Sequence, residues 1–323
     1  MIFIDTNIYL RFFDSNQKQF KKLLNQLLKI DKDLFVTNQI VDEVERNKLS
    51  VFEKSITNYN SKIKIESIIL PEHFAMDSNN FDILNWNKKR EELENQNMLL
   101  SEELEAIFTE NLLKISSSSD SVSLKLKSIF KNKIKESEEE YLKAKKRKEI
   151  GNPPGKHNDT LGDQITWEQF LNKIQMAEEA WIISNDFDYF TLYNKRIYLN
   201  AFLYSELLNK NPNIKINCFS MLSDGLKSYF EKTHQENFIR KDELEEIKRE
   251  EKLFSRTYID SSNLASIGYD AKNKILEIEF NHGGVYQYFD VPQDVYDELM
   301  NADSQGKYFV HNIKNNYRYQ KIK

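Results

Sequence analysis

Short apolar runs alternate with amphipathic stretches along the first two-thirds of the chain. Ile2, Phe3 and Ile4 form the first run, which ends on Asp5, Thr6 and Asn7. Phe20, Leu23, Leu24, Leu27 and Leu28 then fall on one helical face. Leu34, Phe35 and Val36 make a second run, closed by Thr37 and Asn38, and Ile40, Val41, Val44 and Val51 follow at helical spacing. Residues 163–173 repeat the helical pattern with Ile165, Trp167, Phe170 and Leu171. Trp181, Ile182 and Ile183 read as another buried strand, ending on Ser184, Asn185 and Asp186, and residues 214–219 as the last strand of this unit. Uniformly apolar strands separated by amphipathic helices predict an α/β fold, a parallel sheet with helices on both faces.

The pattern is interrupted and then replaced. Residues from about 75 to 150 are long, charged and helix-prone, with a soft break at Ser116 to Ser119, and read as a helical insertion in a domain spanning 1–225. Residues 226–256 are rich in Glu, Lys and Arg and predict a solvated helical linker. From 257 to 323 the texture is that of a small β-rich α+β domain. Three strand-like runs cover 265–269, 275–280 and 285–289, and Asn281, His282, Gly283 and Gly284 supply hairpin chemistry between the last two. Pro292 opens a helix with Val295, Leu299 and Met300 on one face, and the stretch from Gly306 to Tyr319 reads as aromatic-rich and irregular.

Composition narrows the class. With 40% apolar and 30% charged residues in 323, the chain is neither collagen-like, disulfide-dense nor wholly disordered. No run approaches the roughly 18 apolar residues of a membrane helix, and the start lacks a basic leader segment, so a cytoplasmic location is expected. One Cys and five His leave no room for a disulfide or a cysteine-based zinc site. The net charge of -5 does not advertise nucleic acid, yet Lys143, Lys145, Lys146, Arg147 and Lys148 form a basic patch. Either a solvated helix face or a nucleic-acid contact fits that patch.

The placement of the acids carries the chemistry. Asp5 follows the first strand, Glu43 lies on the helix after the second, Asp163 begins a helix, and Asp186 and Asp188 follow a further strand. Ligands of open parallel sheets bind beyond the carboxyl ends of the strands. An aspartate there also serves as a helix N-cap, but five acids at matching positions make five separate caps a poor account. Grouped carboxylates repel and take up protons unless a cation joins them. An all-oxygen donor set suits Mg2+ or Mn2+, and such ions activate water for phosphodiester hydrolysis. Thr6, Asn7 and Asn185 are placed to orient these acids or to bind phosphate. Gly151, Asn152, Pro153, Pro154 and Gly155 form a shaped loop before Lys156. Its glycine spacing and the following His157 do not fit an ATP-binding loop, so Lys156 is read as a phosphate contact and His157 as incidental.

These motifs, in this order, resemble the PIN-domain nucleases: Ile4-Asp5-Thr6-Asn7, then Val41-Asp42-Glu43-Val44, Gly162-Asp163, and Ile183-Ser184-Asn185-Asp186-Phe187-Asp188. The segment Gly151-Asn152-Pro153-Pro154-Gly155-Lys156 with Trp167 resembles a PIN-like subfamily. The resemblance implies a Rossmann-like sheet and a metal-dependent nuclease, usually acting on RNA and leaving 5′-phosphate and 3′-hydroxyl ends. It carries Asp5, Glu43, Asp163 and Asp186 over as the acidic quartet and Asp188 as a fifth acid. Glu45 and, less so, Asp42 compete with Glu43.

The last domain resembles the KTSC family, from Ser261-Ser262-Asn263-Leu264 through Gly283-Gly284-Val285-Tyr286-Gln287-Tyr288 to Ala302-Asp303-Ser304-Gln305-Gly306. The resemblance implies a recognition or regulatory module. Seven Lys or Arg against nine Asp or Glu from residue 257 onward give nucleic-acid binding little support. Tyr286, Tyr288, Tyr308, Phe309, Tyr317 and Tyr319 offer stacking surfaces or simply a small core. Lys314, Tyr317, Arg318 and Tyr319, with Lys321 and Lys323, form the better contact surface. The expected function is therefore metal-dependent phosphodiester hydrolysis, RNA favoured over DNA. A toxin or anti-phage defence effector released by a regulatory partner, and a homo-oligomer built through the insertion, are compatible with it. A non-catalytic nucleic-acid-binding or interaction protein on the same scaffold stays open as the alternative.

Overall fold

The computed structural model describes residues 1–13, 19–63, 81–155, 160–186, 188–193, 196–233, 238–252, 257–258, 261, 263–270, 273–281 and 284–321. The first domain opens with β1 (Ile2–Ile4), α1 (Thr6–Leu10), α2 (Lys21–Lys29), β2 (Leu34–Phe35) and α3 (Asn38–Ile63). The insertion supplies α4 (Phe81–Ser116), α5 (Ser121–Ile129) and α6 (Glu138–Glu149). Then come α7 (Gly162–Lys173), β3 (Glu179–Ile183), β4 (Phe190–Tyr193), β5 (Arg196–Leu199), α8 (Ala201–Lys210), β6 (Lys215–Phe219), α9 (Leu222–Lys232) and α10 (Lys241–Lys252).

Four strands form a parallel sheet in the order β2-β1-β3-β6. β1 and the last four residues of β3 are buried, which is why their sequences are continuously apolar rather than alternating. From β1 the chain moves outward to β2, then crosses to the other side to form β3. The topological switch point therefore lies between β1 and β3. Register pairs Ile4 with Ile183, so the residues just beyond, Asp5 and Ser184, emerge side by side. The Asp5 N–H extends the ladder by donating to the Ile183 carbonyl at 3.0 Å.

The insertion is only partly an arm. Ile115, Val122, Leu126, Ile129 and Phe130 join the main hydrophobic core. The returning chain also makes a parallel bridge between Thr37 and Ile134. A hairpin of β4 and β5 and the helix α8 are additions that the hydrophobic pattern had not predicted.

The charged stretch before residue 256 differs from its expectation. α10 is docked, not solvated: Leu244 and Ile247 are buried, and Ile247 belongs to the main core. Glu251, three turns' reach from the acidic start of the helix, is fully buried and accepts the Leu222 and Ser223 N–H groups at 2.8 and 3.0 Å. It thereby caps α9 from another helix, satisfying N–H groups that a helix start leaves open. Leu244, Ile247 and Glu251 share one helical face. Two apolar positions among many charges were too few to register as an apolar stripe.

The C-terminal unit consists of β7 (Thr257–Tyr258), β8 (Leu264–Asp270), β9 (Ile275–Phe280), β10 (Val285–Tyr288), α11 (Gln293–Asn301), α12 (Gln305–Asn312) and β11 (Tyr319–Lys321). Its sheet runs β11-β10-β9-β8-β7, antiparallel throughout, over a separate core that includes Leu276, Ile278, Leu299 and Phe309. The tail expected to be irregular is instead a helix capped by Ser304 and a strand that pairs with β10.

Candidate active site

Asp5 stands at the N-cap position of α1 with extended backbone, yet its side chain makes no cap bond. It is 5% exposed and accepts a 2.7 Å hydrogen bond from the Ser184 hydroxyl. The Ser184 oxygen accepts from the Asp186 N–H at 2.9 Å, and an Asp186 carboxylate oxygen accepts from the Asp188 N–H at 3.1 Å. A chain of hydrogen bonds thus runs from the end of β1 through the turn that follows β3.

The five expected acids act on one another. Burial, then the Asp186 and Glu43 charges, push the Asp5 carboxyl up to about 7, against the pull of the Ser184 hydroxyl and the Thr6 backbone. Asp163, in the first turn of α7, is raised well above the usual carboxylate range by burial and then by Asp5, Glu43, Asp186 and Asp188. The charges that raise these two groups are all carboxylates. Beneath them the buried phenol of Tyr189 packs on Phe3 and Trp167. Its ionisation is pushed far up by burial and the same acids.

α3 points the neighbouring glutamates to different surroundings. Glu43 is half-buried and its charge acts on Asp5 and Asp163. Glu45 is exposed, pairs with Lys48 at 2.6 Å and accepts from the Ser118 hydroxyl. Asp42 is exposed. Thr6 is buried, Asn185 half-buried and Asn7 exposed beside the acids.

This donor set fits a hard divalent cation by its chemistry: oxygen ligands only, two of them pushed above the usual carboxylate range by burial and by neighbouring acids. Among the described residues no three His, Cys, Asp or Glu side chains close on a common point at coordination distance.

The glycine loop is anchored rather than loose. Gly151 and Gly155 have φ of +74° and +92°, the left-handed region where a side chain is strained. A Cβ at Gly155 would also collide with the side-chain amide of Gln164, which donates to the Pro154 carbonyl at 2.7 Å. Arg147 donates to the Pro153 carbonyl at 2.7 Å, to Glu168 at 2.6 and 2.9 Å and to Glu206 at 2.7 and 3.0 Å. The indole N–H of Trp167 completes the Glu206 pairing at 3.0 Å. Lys156 and His157 lie outside the described residues.

That network corrects one expectation. Arg147 is 5% exposed and spent on carboxylates and a carbonyl, so it belongs to the scaffold and not to a nucleic-acid surface. Lys145 and Lys146 are exposed on α6, and Lys148 is half-buried. In the C-terminal unit Tyr288 and Phe309 are core residues, not stacking platforms. Lys314, Arg318 and Tyr319 are exposed, Arg318 pairs with Asp290 at 3.1 Å, and Tyr317 packs on the small core.

Three residues of the site had no role assigned from sequence: Ser184, Tyr189 and Gln164. Ser184 carries a signal in retrospect, a hydroxyl ending a wholly apolar strand. Nothing local marks Gln164, whose importance depends on a loop ten residues away in sequence.

An α/β domain with acids gathered at its sheet's switch point, followed by a small antiparallel unit, is the class that fold and site define. Residues 1–188 match the family model of the PIN like domain, more than half of the chain, and the chain belongs to that family. Residues 260–317 match the KTSC domain. An uncharacterized protein of Stutzerimonas stutzeri is 44% identical over 68 residues, 21% of this chain and 96% of that protein. A lysine–tRNA ligase of Nostoc punctiforme is 36% identical over 63 residues, 20% of this chain and only 11% of the ligase. A crystal structure of a KTSC domain protein from Yersinia pestis is 41% identical, covering 21% of this chain and 96% of that one, with a TM-score of 0.21. No helix among the described residues is long and apolar enough to cross a membrane.

Proposed function

We propose that this protein is a metal-dependent nuclease that hydrolyses phosphodiester bonds, with RNA as the favoured substrate. The observation that carries this reading is the convergence of five carboxylates at the switch point of a PIN-like domain, where burial first and neighbouring acids second raise both Asp5 and Asp163. Asp5, Glu43, Asp163, Asp186 and Asp188 would hold Mg2+ or Mn2+. When bound, such an ion lowers the pKa of water and offsets the charge that develops on the scissile phosphate.

The remaining work falls to side chains. Ser184 holds the Asp5 carboxylate in one orientation while the Asp186 N–H fixes Ser184, so the end of β1 cannot rotate independently of the turn after β3. Burial keeps bulk water from screening Asp5. Lys145 and Lys146 are exposed near the anchored loop and suit contact with the phosphate backbone. Similarity to a short part of an enzyme named for tRNA is in keeping with RNA as the substrate class, and Lys314, Arg318 and Tyr319 are exposed on the C-terminal unit to contact it.

The scaffold reading, in which the acids serve structure only, draws on the lack of a closed three-carboxylate cluster among the described residues. One experiment separates the two. Labelled single-stranded RNA, single-stranded DNA and duplex DNA are incubated with protein and Mn2+ or Mg2+, with EDTA controls and Asp5→Asn alongside. Cleavage of RNA by the wild type alone is the expected result. Full activity in Asp5→Asn sinks the site assignment. Absence of both cleavage and saturable Mn2+ binding returns the protein to the scaffold reading.

A further inference from the structure

Tyr189 packs against two aromatic rings, each set beneath an acid. Its ring centroid is 5.5 Å from that of Phe3 and 6.0 Å from that of Trp167. Phe3 lies on β1 two residues before Asp5, whose extended backbone continues the strand, so both side chains leave the same face of the sheet. Trp167 follows Asp163 by four residues on α7. It therefore shares a helical face with that acid and leans back toward the turn that carries it. Contact with both rings sets Tyr189 below the gap between Asp5 and Asp163. Its main chain belongs to the turn of the remaining acids, with its N–H donating to the Asp186 carbonyl at 3.4 Å. The Asn200 N–H donates to the Tyr189 carbonyl at 2.8 Å, so main chain and ring together fix the residue.

At 1% exposure the phenol is out of reach of a substrate. Burial first, and then the charges of Asp163, Asp5, Asp186 and Asp188, hold its proton on. Tyr9 gives the contrast. It is fully buried too and stands one helical turn past Asp5, yet burial alone raises it and its oxygen has no partner among the described residues. The acids act on the phenol of Tyr189 and not on that of Tyr9. Asp5 receives a hydrogen bond from the Ser184 hydroxyl, whereas among the described residues no side chain donates to the half-buried Asp163.

Granted the metal-dependent reading above, we propose that Tyr189 is the positioning residue for Asp163: its phenol O–H donates to that carboxylate and orients it toward the divalent cation, as Ser184 does for Asp5. A hydrogen bond to the ionised carboxylate favours the charged form that a cation requires.

Tyr189→Phe removes the donor and keeps the ring, so the metal-free protein should melt as the wild type does in EDTA. Its Mn2+ affinity, measured by calorimetric titration of the full chain, should fall about 10-fold or more. Tyr9→Phe removes an equally buried hydroxyl and should bind Mn2+ as the wild type does. In a chain that already carries Asp163→Asn, titrated to millimolar Mn2+, Tyr189→Phe should cost less than about twofold, because the carboxylate it serves is gone. Wild-type affinity in Tyr189→Phe overturns the inference, and so do equal losses with and without the Asp163 carboxylate. The readout is affinity, so a wild type that binds Mn2+ and cleaves nothing sinks the nuclease reading alone, and one that binds no Mn2+ overturns both.

Discussion

The Ser184 hydroxyl lies 2.7 Å from the Asp5 carboxylate and 2.9 Å from the Asp186 N–H, so one side chain ties together the ends of two adjacent strands. It donates to the acid and accepts from the backbone, using both capacities of a hydroxyl. Its pull lowers the Asp5 pKa against burial. Ser184→Ala should cost about 1–3 kcal/mol by leaving buried partners unsatisfied and should weaken Mn2+ binding about 10-fold near neutral pH. The loss should shrink at higher pH, where Asp5 ionises without help. Calorimetric titrations at two pH values check this, and equal affinities for both proteins at both pH values would contradict it.

Asp5 also sets a pH dependence. Its folded pKa is raised from 3.8 to about 7, so the folded metal-free protein holds a proton that the unfolded chain releases. The stabilising contribution is complete below about pH 4 and is lost as pH rises through about 7. Asp5→Asn, which stays neutral, should gain on the wild type across that window by up to a few kcal/mol, and the two should converge in acid. Thermal melts with EDTA from pH 4 to 8, a range set by about those two pKa values, measure the difference. A constant offset would show that Asp5 ionises normally in the folded state. Added Mn2+ should raise the wild-type midpoint at pH near 7.5 and leave Asp5→Asn nearly unmoved.

Glu43 and Glu45 are two residues apart on α3 and point to different surroundings. Glu43→Gln should reduce Mn2+ affinity about 10-fold or more. Glu45→Gln should change it less than about twofold, because Glu45 is exposed and paired with Lys48. Mn2+ titrations followed by paramagnetic resonance distinguish them, and the reverse ranking would move the ligand assignment to Glu45.

Arg147 is a structural residue despite its place in a basic run. Arg147→Ala leaves the buried Glu168 and the half-buried Glu206 without their guanidinium partner and should cost about 3–5 kcal/mol in urea unfolding. Arg147→Lys keeps the charge but not the five-donor fork and should fall between. Neither of the exposed lysines beside it, Lys145 or Lys146, should shift stability by more than about 0.5 kcal/mol on conversion to Ala. A mild Arg147→Ala would show that the ion network is dispensable.

The sequence by itself determined the strands of the parallel sheet, their polar ends and hence the approximate address of Asp5, Asp186 and Asp188, and it placed Asp163 at a helix start. It also determined the division into an α/β domain and a β-rich one. These follow from local rules: a strand buried on both faces must be apolar throughout, and the chain must turn polar where it leaves the sheet. Tertiary structure decided what depends on partners distant in sequence. Ser184 meets Asp5 across 179 positions only because parallel register aligns Ile183 with Ile4. Arg147 is internal because Glu168 and Glu206 converge on it, whereas Lys145 and Lys146 on the same helix are exposed. Glu251 is buried because the start of α9 needs an acceptor that its own sequence does not supply. A charged residue's environment is set by what the fold brings to it, and residue type along the chain does not encode that meeting.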